Sequence, residues 1–186
     1  MPRTKTFLTP SEYAVLGLLR QRPAYGYELQ RQLNGGHGLA RVCPVEPAMV
    51  YAILKSLSGL ELIDGEWDNS SYPPRAVYAT TPEGDATFQR WLQQPVERLR
   101  QIRHDFMVKL FFVLEEGPRE AAELMERQID ACVEYERGLN AGMEEEDESS
   151  FDAIALQSRV VAVRGTLEWL RASQRSLKSR MGAGGA

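Results

Sequence analysis

Cysteine and histidine are scarce in this chain, with two of each in 186 residues. Cys43 and Cys132 lie far apart in no CxxC pair, so they supply neither a disulfide framework nor a zinc cluster and read as reduced, small hydrophobes. A redox or metal-sensing role for Cys43 would have His37 as its only nearby partner. Long apolar runs are also missing. The longest, Ala48 to Leu54, has seven residues, whereas a membrane helix needs about 18. The basic start, Met1 to Thr6, leads into a segment containing Glu12 and Arg20 rather than into an apolar signal core. The expectation is a cytoplasmic protein with no membrane partner.

Groupings that do chemistry are equally sparse. His37 sits in Gly35-Gly36-His37-Gly38, which follows a helical pattern and lacks the lysine and Ser/Thr of a phosphate loop. His104 stands beside Asp105 with no further ligand-type residues gathered around it. No nucleophile and base, metal cluster or carboxylate pair can be assembled. The chain reads as no enzyme, with no cofactor and no metal.

What is there is ordinary globular material, 43% hydrophobic and 26% charged, in a length that suits two modest units. The net charge of -4 conceals a local excess of the other sign. Residues 1–60 hold seven cations (Arg3, Lys5, Arg20, Arg22, Arg31, Arg41, Lys55) against Glu12, Glu28 and Glu46, a balance of +4. Binding responds to such local fields rather than to the average.

Thr9-Pro10-Ser11-Glu12 is a helix start, with a capping threonine, proline at the first helical position and a glutamate closing a capping box. This first helix runs to about Gln21 and Pro23 stops it. Tyr25, Leu29 and Leu33 recur at helical spacing and give a second helix that ends at the glycine cluster. A third begins near Pro47. Its stripe of Val50, Ile53, Leu54, Leu57 and Leu60 faces inward, and Ala48, Met49, Tyr51, Ala52, Lys55 and Ser56 occupy the opposite face. The period then changes: Leu62 to Trp67 and Arg75 to Thr80 read as strands flanking a polar turn, Asp68 to Pro74. Thr81-Pro82-Glu83 opens a fourth helix with Phe88, Trp91 and Leu92 on its apolar side. Helix, helix, helix, hairpin, helix is the order of a winged helix-turn-helix domain.

The second half reads as wholly helical: a nearly all-apolar stretch from Phe106 to Leu114, a break at Gly117-Pro118, and a long pattern from Arg119 to about Leu139. The acidic run Glu144 to Glu148 reads as a solvated linker, with an interaction tail or metal-attracting patch as the alternative. The last helix, from about Phe151 to Lys178, carries Leu156, Val160, Val163, Leu167, Leu170, Gln174 and Leu177 at alternating steps of four and three. This is the repeat of a coiled-coil seam. Such a stripe can join two copies or line an internal core, and the dimer seam is the reading adopted. Trp67, Trp91 and Trp169 could line a ligand pocket, but their spacing favours packing. The fold class expected is mainly α with a small β-hairpin wing. The units are a winged-helix DNA-binding domain over 1–94, a helical dimerisation domain over 95–181 and a disordered tail over 182–186.

Four segments, in order, resemble the PadR-type winged-helix transcriptional regulators. They are Val15-Leu16-Gly17-Leu18-Leu19; Tyr25-Gly26-Tyr27-Glu28-Leu29; Val50 to Leu57; and Arg75, Tyr78, Thr81 and Gly84. The all-helical second half resembles the longer, virulence-activator-like subfamily. Two departures stand out: Glu61 replaces the usual glycine before Leu62-Ile63, and Glu46-Pro47 replaces a small polar lead into the third helix. The resemblance implies a homodimer on a palindromic operator in double-stranded DNA, acting as a repressor and released by a small-molecule effector. On this reading Tyr51 and Lys55 face the major groove, Ala48, Met49 and Ala52 touch thymine methyls, Tyr27 holds the DNA backbone, and Arg75 reaches phosphate or the minor groove. An A·T-rich site is the expectation. The dimer seam is Leu156, Val160, Val163, Leu167, Leu170 and Leu177. The competing function is a winged-helix protein-interaction module that binds no DNA.

Overall fold

The computed structural model describes residues 8–68, 75–144, 146–147 and 149–183, with side chains as far as Ser179. Expectations for Met1 to Thr6, for residues 69–74 of the hairpin tip, for Glu145 and Glu148, and for residues 184–186 of the tail lie outside the described residues. Among the described residues, no helix is long and apolar enough to cross a membrane.

Helix α1 (Pro10–Gln21) starts at the predicted box. Thr9 Oγ1 accepts from the Glu12 N–H at 3.3 Å, and the Glu12 carboxylate accepts from the Thr9 N–H at 2.8 Å, so two donors of the first turn are satisfied reciprocally. Tyr13 through Leu19 are all buried, as expected for a helix enclosed on most sides. Strand β1 (Ala24–Tyr25) comes next and was not expected; the Tyr25, Leu29, Leu33 spacing had drawn Tyr25 into the second helix. Tyr25 instead precedes α2 (Gly26–Asn34), and its N–H donates to Glu28 Oε2 at 2.9 Å. A 3-10 turn, Gly38–Arg41, leads to α3 (Pro47–Gly59). The hairpin follows as β2 (Ile63–Asp68) and β3 (Arg75–Thr80), and then α4 (Pro82–Gln93). The sheet is antiparallel in the order β1-β3-β2, with Ala24 opposite Tyr78 and Asp68 opposite Arg75.

The chain divides into two compact units. The first takes the described residues up to Gln94 together with Met107–Phe111; the second takes Pro95–Phe106 and the residues from Phe112 onward. In the first, Leu16 and Leu19 of α1, Leu29 and Leu33 of α2, Leu54 and Leu57 of α3, Ile63 and Phe88 are each less than 2% exposed. At about 1.5–3 kcal/mol for each large side chain removed from water, this shared core, not helix propensity, fixes an element as short as the nine residues of α2. Trp91 belongs to that packing, its ring stacked on Tyr13 at 4.0 Å and 7°. Lys109, 2% exposed, is satisfied among these groups: its ammonium donates to the Gln94 carbonyl and lies 4.7 Å over the Trp91 ring.

The passage from α3 to the wing is a left-handed cap. Glu61 N–H donates to the Ser58 carbonyl at 3.0 Å and Leu62 N–H to the Leu57 carbonyl at 3.0 Å, the paired bonds of a Schellman motif. Glu61 sits at its left-handed position with φ 59°, the place a glycine ordinarily takes. The bend is therefore kept without glycine. Thr81 braces it, with its hydroxyl donating to the Glu61 carbonyl at 2.8 Å and accepting from Gly84 N–H at 3.0 Å to cap α4. A Cβ on Gly84 would run into the Leu62 carbonyl oxygen, so only glycine lets α4 start this close to the wing.

In the second unit, a 3-10 turn (Leu99–Gln101) and a π-helical turn (Ile102–Phe106) precede α5 (Met107–Glu116), whose first residues group with the first unit. Gly117 separates it from α6 (Pro118–Glu144), and α7 (Phe151–Ala183) ends the described chain. The last helix reaches Ala183, so residues 182 and 183 are helical rather than part of a tail. Gln174 donates to the Ala122 carbonyl, Arg164 to Glu136 and Arg159 to Tyr135, a falling register that makes α6 and α7 an antiparallel pair. Gln128, fully buried, holds the segment after Pro95 by mimicking a strand. Its Oε1 accepts from Val96 N–H at 2.8 Å and its Nε2 donates to the Val96 carbonyl at 2.9 Å.

This pairing corrects the seam expected on the last helix. Val160, Val163, Leu167 and Leu170 are at most 4% exposed within a single chain, and Leu156 and Leu177 are half-buried. Alternating steps of three and four suit any two packed helices, and here the neighbouring helix is α6 of the same chain. The outward side of α7 carries Phe151, Ile154 and Val161, at 80%, 58% and 64% exposure.

Candidate nucleic-acid interface

The α3 sequence sorts its side chains by period. Val50, Ile53, Leu54 and Leu57 are buried, while Ala48, Met49, Tyr51, Ala52 and Lys55 are exposed on the side turned away from the core. Thirteen residues at about 1.5 Å each make a rod of about 20 Å, a length that can lie along a major groove about 12 Å wide. Ser56 departs from the expected exposed face. It is half-buried, and its hydroxyl donates to Glu12 Oε1 at 2.9 Å.

That bond joins α1 to α3 through a carboxylate that is 3% exposed. Glu12 accepts from Thr9 N–H, from Thr9 Oγ1 at 2.9 Å and from Ser56, so it both caps α1 and anchors the third helix. Sequence reasoning found the capping role but not the anchor, because Ser56 stands 44 positions away. Gly26 opens α2 within the Tyr25-to-Leu29 segment, and the structure shows its use. A Cβ there would stand 2.8 Å from Tyr51 Cε1, so the bare backbone gives the Tyr51 ring its seat. Tyr51 is 52% exposed over that seat.

A second cluster lies where α2 begins beside the wing. Tyr27 is 44% exposed, and its ring stacks on Tyr25 with centroids 5.5 Å apart and planes 20° apart. The Tyr25 hydroxyl donates to Asp68 Oδ2 at 2.9 Å on β2. This bond, reinforced by partial burial, raises the Tyr25 pKa above the ordinary tyrosine value and keeps the proton on the phenol. Arg75, exposed at the start of β3, places its guanidinium 5.4 Å from the Tyr27 ring centroid. Trp67, on β2, is 68% exposed.

At the α3 start, the Glu46 carbonyl accepts from Met49 and Val50 N–H at 2.9 and 3.3 Å. The Glu46 side chain is exposed and makes no cap bond. Cys43 is buried with its sulfur 3.3 Å from the Ser11 hydroxyl, whereas His37 is exposed and bonds the Gly35 carbonyl. Among the described residues, no three His, Cys, Asp or Glu side chains gather as a metal site.

Two family models match the chain. Residues 15–90 match the transcriptional regulator PadR-like family, and residues 102–178 match the virulence activator alpha C-term model. Among solved structures, the chain is similar to Bacillus subtilis PadR in complex with operator DNA, at 20% identity over 91% of this chain and 99% of that one, TM-score 0.46. It is similar to the same protein in complex with p-coumaric acid, at 20% identity over 91% and 99%, TM-score 0.42. A PadR-like transcription factor from Bacteroides fragilis is 31% identical over 43% of this chain and 74% of that one, TM-score 0.37. None of the curated proteins matches. Residues 15–90 thus belong to the transcriptional regulator PadR-like family, in a winged-helix fold, and residues 102–178 to the virulence activator alpha C-term family.

Proposed function

We propose that two copies of this chain bind a palindromic operator, each laying α3 in a major groove, and repress transcription until a small-molecule effector releases them. The observation that carries the DNA part is the exposed face of α3, Ala48, Met49, Tyr51, Ala52 and Lys55, seated against the core by its apolar stripe and anchored through Ser56 and Glu12. Tyr51 and Lys55 supply polar contacts, and Ala48, Met49 and Ala52 suit thymine methyls. Arg75 meets the backbone beside the groove, with the Tyr27 ring against its guanidinium. Phosphate contacts of this kind give affinity and register, and base edges give the sequence preference.

A single recognition helix covers too few base pairs to select one site in a genome, which is the physical reason for a dimer. With Val160, Val163, Leu167 and Leu170 buried within one chain, the outward side of α7 at Phe151, Ile154 and Val161 offers an apolar surface to join two copies. Likeness to the PadR-like family supports the effector step. Selection of bound genomic fragments, followed by sequencing and footprinting, tests the reading. The expected outcome is a two-fold symmetric site with half-site centres about one helical turn apart, or a multiple of it. Loss of the footprint on adding small aromatic acids supports the release step. A protein that selects no DNA at low salt, yet retains a stable protein complex, answers to the interaction-module alternative instead.

A further inference from the structure

The aromatic pair at the start of α2 has a use beyond contact. We infer that Tyr27 is a positioning residue for Arg75: its ring holds the guanidinium at the tip end of β3, so that the cation meets the DNA backbone already oriented. The inference rests on the DNA-binding reading above and deepens it.

Arginine has a long side chain that is free to sample many rotamers when exposed, and ordering it on binding subtracts from affinity. A planar guanidinium laid on an aromatic face loses much of that freedom beforehand. Here the Arg75 guanidinium carbon stands 5.4 Å from the Tyr27 centroid. The Tyr27 ring is itself fixed on its neighbour, Tyr25, at 5.5 Å. Tyr25 is held at two further points: its backbone pairs with Val77 on β3, and its hydroxyl bonds Asp68 on β2 at 2.9 Å. Asp68 is the cross-strand partner of Arg75, so the chain of contacts runs from the wing to α2 and back to the wing. The start of α2 and the tip ends of β2 and β3 are thereby clamped together with the cation on their outer surface. Tyr27, at 44% exposure, offers a ring face for this even if its hydroxyl touches nothing.

The test uses the full-length protein and an operator fragment recovered by selection, with affinity measured across a salt series for the wild type, Tyr27→Phe, Tyr27→Leu, Arg75→Ala and the double variant Tyr27→Leu/Arg75→Ala. Arg75→Ala is expected to lower the salt slope by about 1.8, about 0.9 for the phosphate contact of each of the two bound copies. Tyr27→Phe keeps the ring and stays within about twofold of wild type, whereas Tyr27→Leu weakens binding about two- to fivefold for each bound copy, the size of an exposed cation–π contact. In the Arg75→Ala background Tyr27→Leu has no further effect. On the free protein, NMR should show the Arg75 side-chain protons shifted upfield by the Tyr27 ring, and the shift should vanish in Tyr27→Leu. Equal losses in Tyr27→Phe and Tyr27→Leu, or an undiminished effect of Tyr27→Leu without Arg75, would overturn the positioning role while leaving the DNA-binding reading intact. Wild-type protein that binds no DNA while the ring shift is present overturns the functional reading, and the role with it.

Discussion

Replacing Glu12 by alanine tests how the recognition helix is held. The carboxylate is 3% exposed and accepts three bonds, from Thr9 N–H at 2.8 Å, Thr9 Oγ1 at 2.9 Å and Ser56 Oγ at 2.9 Å. The Thr9 bonds close the cap of α1, and losing such a cap costs about 1 kcal/mol. The Ser56 bond is charge-assisted and partly buried, a class worth about 1.5–3 kcal/mol. Thr9 is exposed and regains water in the variant, so the two contributions do not grow beyond their sum. Glu12→Ala is therefore expected to lower stability by about 3 kcal/mol. Urea unfolding checks this as a fall in midpoint at unchanged slope. The sharper reading is a cycle with Ser56→Ala. If the bond joins α1 to α3, the two changes together cost about 1 kcal/mol or more less than their separate effects added. A loss below about 0.5 kcal/mol in Glu12→Ala, the scale of an ordinary surface substitution, would refute the reasoning. So would strict additivity with Ser56→Ala.

Other perturbations follow from the same geometry. Glu61→Gly relieves a left-handed residue at φ 59°; a penalty of about 1–2 kcal/mol is removed and part of it is offset by glycine's freer unfolded chain, leaving a gain of about 0.5–1 kcal/mol, read as a higher melting temperature. Gly84→Ala drives a Cβ into the Leu62 carbonyl oxygen and should cost about 3 kcal/mol or more, because backbone must move; unfolding at unchanged midpoint would contradict it. Gly26→Ala meets first the Tyr51 ring, 2.8 Å away, and the Leu54 methyl at 3.3 Å, both ends of side chains. Its melting temperature should change little while operator affinity falls about tenfold through a displaced Tyr51, a loss within the range of one good base contact. Gln128→Leu leaves the Val96 N–H and carbonyl without their partner in a buried place and should lower stability by about 2–3 kcal/mol in the same urea assay.

Local chemistry made much of the first unit legible. Thr9-Pro10-Ser11-Glu12 and Thr81-Pro82 mark helix starts because capping is decided within four residues, and Val50, Ile53, Leu54 and Leu57 mark a buried face because a helix repeats its sides. What failed was non-local. Two residues of β1 are a strand only because Val77 and Tyr78 lie beside them. The Gln128 amide gives no sign in sequence that its partner is a backbone 32 positions earlier. The stripe on α7 states that a helix packs there but not which helix, so an internal pairing with α6 and a pairing between copies read alike. At the interface, the outward set on α3 follows from the period, whereas the supports behind it, Ser56 on Glu12, Tyr51 over Gly26 and Arg75 over Tyr27, depend on contacts that no local pattern encodes.

The central claim, that the exposed face of α3 and the wing cation together grip DNA, is tested most directly by fluorescence anisotropy of the selected operator fragment across a salt series. The wild type is compared with Lys55→Ala/Arg75→Ala, with circular dichroism confirming that both are folded. The account predicts steeply salt-dependent binding by the wild type, with affinity in the double variant sharply lower and its salt slope smaller by about 1.8, the share of the Arg75 phosphate contact in each of the two bound copies. A folded double variant with wild-type affinity and slope would contradict it.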